Sequence, residues 1–104
     1  MAKVKALFYI PLRDNDGRDL KVEIADLQFD LYSRFVGWTS LGYIKGAYRM
    51  ADGSQAIDES EAIAVVFDEA RLPELEQVLL AFKGKTLQEA IYLEVQRNVD
   101  VRFL

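Results

Sequence analysis

The stretch LGYIKGAYRMADGSQAIDESEAIAVVF, residues 41–67, decides the fold. Asp52-Gly53 stands near its middle, and the tight turns that match strand twist need positive φ, which Asp and Gly tolerate best. MADGSQ therefore reads as a turn between two strands. Residues 41–50 form the strand before it. Residues 61–67, EAIAVVF, form the strand after it, and their near-continuous apolar character suits a central position covered on both sides. A hairpin with a buried second strand is the middle of the chain.

Working outward, each flank supplies a helix and then a strand. Upstream, Ile24, Leu27, Leu31 and Phe35 recur at spacings of three, four and four, the buried stripe of a helix from about Val22 to Phe35. Leu20, Val22 and Ile24 also alternate as a short return strand would, so the start of this helix stays open. Gly37 supplies a stop. Before it, KVKALFYIPL at 3–12 alternates Val4, Ala6, Phe8 and Ile10 against Lys5, Leu7 and Tyr9, which is a strand. Downstream, Leu72-Pro73 opens a helix with proline in its first turn. Leu75, Val78, Leu79 and Phe82 form its stripe, and Gly84 between Lys83 and Lys85 marks its end. AIYLEV at 90–95 alternates as a fourth strand. VDVRF at 99–103 repeats the alternation, either past a bulge or as a fifth strand. The order β-α-β-β-α-β with a β-rich C-terminal tail is the ferredoxin-like α+β arrangement: a two-layer sandwich with an antiparallel sheet and both helices on one face. Residues 1–104 read as a single domain.

Composition narrows the chemistry. The 104 residues are 51% hydrophobic, enough for a core without staples. Thirteen basic against 17 acidic side chains give −4, which repels polyanions and argues against nucleic acid. There is no cysteine and no histidine, so thiol chemistry, thiolate metal sites and the commonest general base are all excluded. No apolar run approaches the ~20 residues of a membrane span, and the N-terminus lacks the apolar core and cleavage site of a secretory signal. The chain is expected in the cytoplasm, with no membrane partner and no cofactor.

Four motifs invite chemistry. DNDG at 14–17 resembles the start of a calcium loop, but Arg18 and Asp19 occupy the positions that need an acid and a glycine, so it reads as a turn. KGKT at 83–86 closes a helix where a phosphate loop must open one. DESE at 58–61 reads as solvated gatekeepers beside an apolar strand. KGAYRM at 45–50 matches only part of an RNA-binding signature, on the wrong strand. No metal site is expected.

From Gly46 onward the chain resembles small bacterial ferredoxin-like proteins grouped as a domain of unknown function. Gly46-Ala47-Tyr48, Asp52-Gly53, Glu59-Ser60 and Gln88-Glu89-Ala90-Ile91 carry the likeness, with Tyr48 where the pattern has Trp. The resemblance implies the fold and no catalytic residue.

One sheet face is left without a helix layer. It should carry Lys5, Leu7, Tyr9, Ala62, Ala64, Val66, Tyr92 and Glu94, too apolar a set to stand in water. The leading expectation is a non-enzymatic module that self-associates through this face or an edge, most simply as a homodimer. The competing structural expectation is that the tail or the segment around Trp38 covers the face. The alternative function is a pocket for an unidentified small molecule, lined by Tyr9, Arg13, Tyr43, Tyr48, Arg49 and Tyr92.

Overall fold

In a computed structural model, which describes residues 2–104, the hydrophobic periodicities become four strands and two helices. They run β1 (Lys3–Pro11), α1 (Lys21–Phe35), β2 (Thr39–Arg49), β3 (Gln55–Asp68), α2 (Leu72–Lys85) and β4 (Tyr92–Arg97), with a single 3₁₀ turn at Glu69–Arg71. The strands form one antiparallel sheet in the order β2-β3-β1-β4. This is the ferredoxin-like α+β fold. No helix is long and apolar enough to cross a membrane among the described residues.

The core lies between the sheet and the helices. Val4, Ala6, Phe8 and Ile10 are fully buried on β1, beside Ile63, Val65 and Phe67 of β3. Against them pack Ile24, Leu27, Leu31 and Phe35 from α1, and Leu75, Val78, Leu79 and Phe82 from α2. Both helical stripes are the ones that the spacing predicts.

The open start of α1 resolves as helix. Ile24 N–H donates to Leu20 C=O at 2.8 Å, while only one bridge, Arg13 with Asp19, represents a return strand. Leu20 is fully buried because its N–H is tied to Leu12 C=O, which draws it under the sheet end.

Both helix stops differ from the glycine rule. At the end of α1 the left-handed residue is Val36, φ 73, not Gly37. Burial of Phe35 and the packing of Trp38 against the core fix the chain on either side, so the turn falls between them. Arg71 finishes this end, its guanidinium donating to Arg34 C=O at 2.6 Å and lying 4.6 Å from the Phe35 ring centre. Gly84 stays inside α2. The helix ends at Thr86, whose hydroxyl donates to Phe82 C=O, and at Leu87, φ 57, with Gln88 N–H returning to Lys83 C=O.

The tail carries no strand. Asn98 takes φ 56, which turns the chain off the ladder, and among the described residues the one backbone bond from beyond Arg97 to the sheet is Val99 N–H to Lys3 C=O at 3.3 Å.

The hairpin closes as its sequence predicts. Met50 N–H donates to Ser54 C=O and Gly53 N–H to Met50 C=O, with Gly53 at φ 86. Because β1 pairs only with residues 60–68 of β3, the tip of the β2–β3 hairpin projects beyond the sheet as an arm. Its length helps to stretch the molecule to 44 Å against 27 and 24 Å.

Candidate functional site

Strand register decides what the helix-free face presents. Tyr9 pairs across β1 with Ala62 on one side and Tyr92 on the other, and Leu7 with Ala64 and Glu94. Cross-strand partners share a face, so this face carries Lys5, Leu7, Tyr9, Ala62, Ala64, Val66, Tyr92 and Glu94. From β2 it receives Gly42, Ile44, Gly46 and Tyr48. Trp38 packs against the core on the other side, and Val101, Phe103 and Leu104 of the tail are exposed.

Three tyrosines give the face its character. Tyr9 and Tyr92 stack with ring centres 4.3 Å apart and planes 12° from parallel. The Tyr92 hydroxyl donates to Glu94 Oε1 at 2.8 Å, and Gln96 Nε2 donates to Glu94 Oε2 at 2.9 Å. The Glu94 bond raises the Tyr92 phenol above its ordinary value, while Gln96 first and Tyr92 second hold the Glu94 carboxyl below its own. Tyr48 lies along β2 across Gly46: a Cβ on Gly46 would sit 2.7 Å from the Tyr48 hydroxyl. Gly46 is what lets that ring lie down.

These elements enclose an open groove of about 1150 Å³. Tyr9, Tyr48, Tyr92 and Arg13 all line it, with Ile44, Gly46, Met50 and Ile91. So do Asp58, Glu59 and Glu89, against Arg13 and Lys45, while Asp14 is paired with Arg18, which leaves the lining slightly acidic. The groove thus unites four of the six expected residues. The other two lie elsewhere. Tyr43 falls on the opposite face of β2, opposite Glu61, in a smaller cleft of about 430 Å³ with Gln28 and Lys21. Arg49 lines neither cavity, because it points to the face of β2 opposite Tyr48.

DNDG folds as a turn. Asp14 Oδ1 accepts from the backbone N–H groups of Asp16 and Arg18, its Oδ2 from Arg18 Nε, and Gly17 takes φ 83. These bonds, the Arg18 backbone donor foremost, hold the Asp14 carboxyl below its ordinary value. Among the described residues no three acidic side chains gather as a metal cluster.

The expectation for DESE needs correction. Ser60 and Glu61 are buried, each 8% exposed, rather than solvated. Glu61 shares the core-facing parity of Ile63 and Val65, and Gln28 Nε2 stands 3.5 Å from its Oε1. That parity was visible in the sequence: counting back by two from Ile63 lands on Glu61.

No family model matches the chain, and no curated protein resembles it in sequence. The likeness to small bacterial ferredoxin-like proteins accordingly rests on its short segments alone. Solved structures do match the fold. CutA1 from Oryza sativa superposes with a TM-score of 0.71 at 12% identity, covering 98% of this chain and 84% of that one. A phage SAM lyase in complex with S-methyl-5′-thioadenosine gives 0.70 at 13%, covering 92% and 81%. CutA from Synechococcus elongatus gives 0.61 at 11%, covering 91% and 75%.

Proposed function

We propose that the chain binds a small nucleoside-type molecule in its sheet groove. The observation that carries this reading is the gathering of the stacked Tyr9–Tyr92 pair and Tyr48 along one groove with an acidic rim. Aromatic faces accept a flat base by stacking, and rings together with a slight acidic excess favour a cationic centre. An adenosine carrying a 5′-sulfonium has both features, and one carrying a 5′-thioether has the first. The phage SAM lyase of similar fold, solved with S-methyl-5′-thioadenosine, supports that choice of ligand class.

The test is calorimetric titration with S-methyl-5′-thioadenosine and, separately, S-adenosylmethionine. The expected result is saturable binding of at least one, which Tyr48→Ala weakens tenfold or more, about 1.4 kcal/mol. No heat and no thermal shift at millimolar concentrations of both would overturn the reading. Following the second titration for release of S-methyl-5′-thioadenosine separates binding from turnover.

A second reading is self-association, most simply as a homodimer. It is favoured by a specific observation: both helices pack against the other side of the sheet, so the face that carries Leu7, Tyr9 and Val66 has no helix layer. Sedimentation at micromolar concentration checks it. A species of 11.9 kDa at every concentration rules it out.

A further inference from the structure

The segment after β4 carries a strand pattern that its own chain leaves unpaired. Val99, Val101 and Phe103 alternate with Asp100 and Arg102, but no ladder forms beyond Arg97. Phe103 is 94% exposed, a poor resting place for an aromatic ring. At the far edge of the sheet, β2 has a neighbour on one side only, so one row of backbone donors and acceptors along its 11 residues lacks a strand partner. On that strand Lys45 and Arg49 form no ion pair among the described residues.

We propose that residues 99–103 of one copy add as a strand to the free edge of β2 in a second copy. Parity and charge agree on how the strand would lie. On β2, Ile44 and Tyr48 point to the helix-free face, and Lys45 and Arg49 to the other. With Asp100 placed beside Lys45 and Arg49, Val99, Val101 and Phe103 fall on the same face as Ile44 and Tyr48. Asp100 then exchanges its local partner Arg102 for the basic pair. The apolar side chains of the tail extend the groove wall where Tyr48 stands.

A second copy is the occupant because the tail cannot serve its own β2. The slot outside that strand lies four strand spacings from β4, roughly 19 Å, and crossing the distance would consume about six residues of the tail. The contact joins two different surfaces, so it is head-to-tail and closes into a ring where the rotation allows. Backbone pairing gives such an addition its affinity, and side-chain parity its register.

This inference rests on the self-association reading and specifies its surface. The experiment compares sedimentation of the full chain with a chain ending at Val99 and with the double variant Lys45→Glu/Arg49→Glu. Residues 100–104 are exposed, so the shortened chain should melt within about 2 °C of the full one. The expected result is a concentration-dependent multiple of 11.9 kDa for the full chain, with dissociation at least about tenfold easier in both variants. Unchanged association in the shortened chain overturns the tail contact and leaves self-association standing. A full chain monomeric up to about 100 μM overturns both.

Discussion

Val36 holds a conformation that β-branched residues rarely take, φ 73, with its side chain 87% exposed. It gains no packing in return. Val36→Gly should therefore raise stability by about 0.5–1 kcal/mol, the left-handed strain relieved less the extra chain entropy of glycine. For a chain of this size a denaturation curve would show that as a few degrees in Tm. The sequence points to Gly37 because local rules favour glycine at such ends; the actual position follows from Phe35 and Trp38 seeking the core, a tertiary demand with no local sign. Asp14 presents the opposite case, since its turn is legible residue by residue. Its folded pKa lies below the ordinary 3.8, so its contribution is present above that value and is lost as pH falls through the lower folded value. Asp14→Asn should be less stable than the parent at pH 7, with the gap narrowing between about pH 4 and pH 2. Urea midpoints measured at both ends of that range check the sign.

The elements show where periodicity suffices. Spacings of three and four place every buried residue of α1 and α2, because a helix that must cover a sheet has one stripe to offer. The strands are legible in alternation but not in length: β3 begins at Gln55, six residues before its apolar run, because β2 alone pairs with that stretch. Two substitutions separate the body from the arm. Phe8→Ala opens a cavity under both helices and should remove about 3–5 kcal/mol from the whole unfolding transition. Gly53→Ala strains only the hairpin tip, φ 86, by about 1–2 kcal/mol. Hydrogen exchange should show amides of residues 44–59 exchanging faster in that variant, with those of β1 unchanged.

Across the whole molecule, the helix-free face was legible from strand parity, and four of the six expected residues share its groove. Tyr43 and Arg49 did not join because side chains alternate along β2, which sends both to the face opposite Tyr48. The groove also yields a variant that separates shape from chemistry. Gly46→Ala keeps every tyrosine but drives its methyl into the Tyr48 ring, which must swing away. On the proposed reading, nucleoside binding should weaken by about tenfold, while Tm moves by no more than a few degrees, since only an exposed ring shifts.

The sheet order has a consequence for synthesis. Of the four strands β1 leaves the ribosome before the others, and it belongs between β3 and β4. Its register with β4, Tyr9 against Tyr92, joins the two ends of the chain. At roughly 5–20 residues per second, β1 waits some seconds with an apolar edge that nothing yet covers. Nascent chains arrested before Arg97 clears the exit tunnel should therefore stay protease-sensitive along β1, and release should bring protection in one cooperative step. The strand that is most sheltered at the end is the one that waits longest for its partners at the beginning.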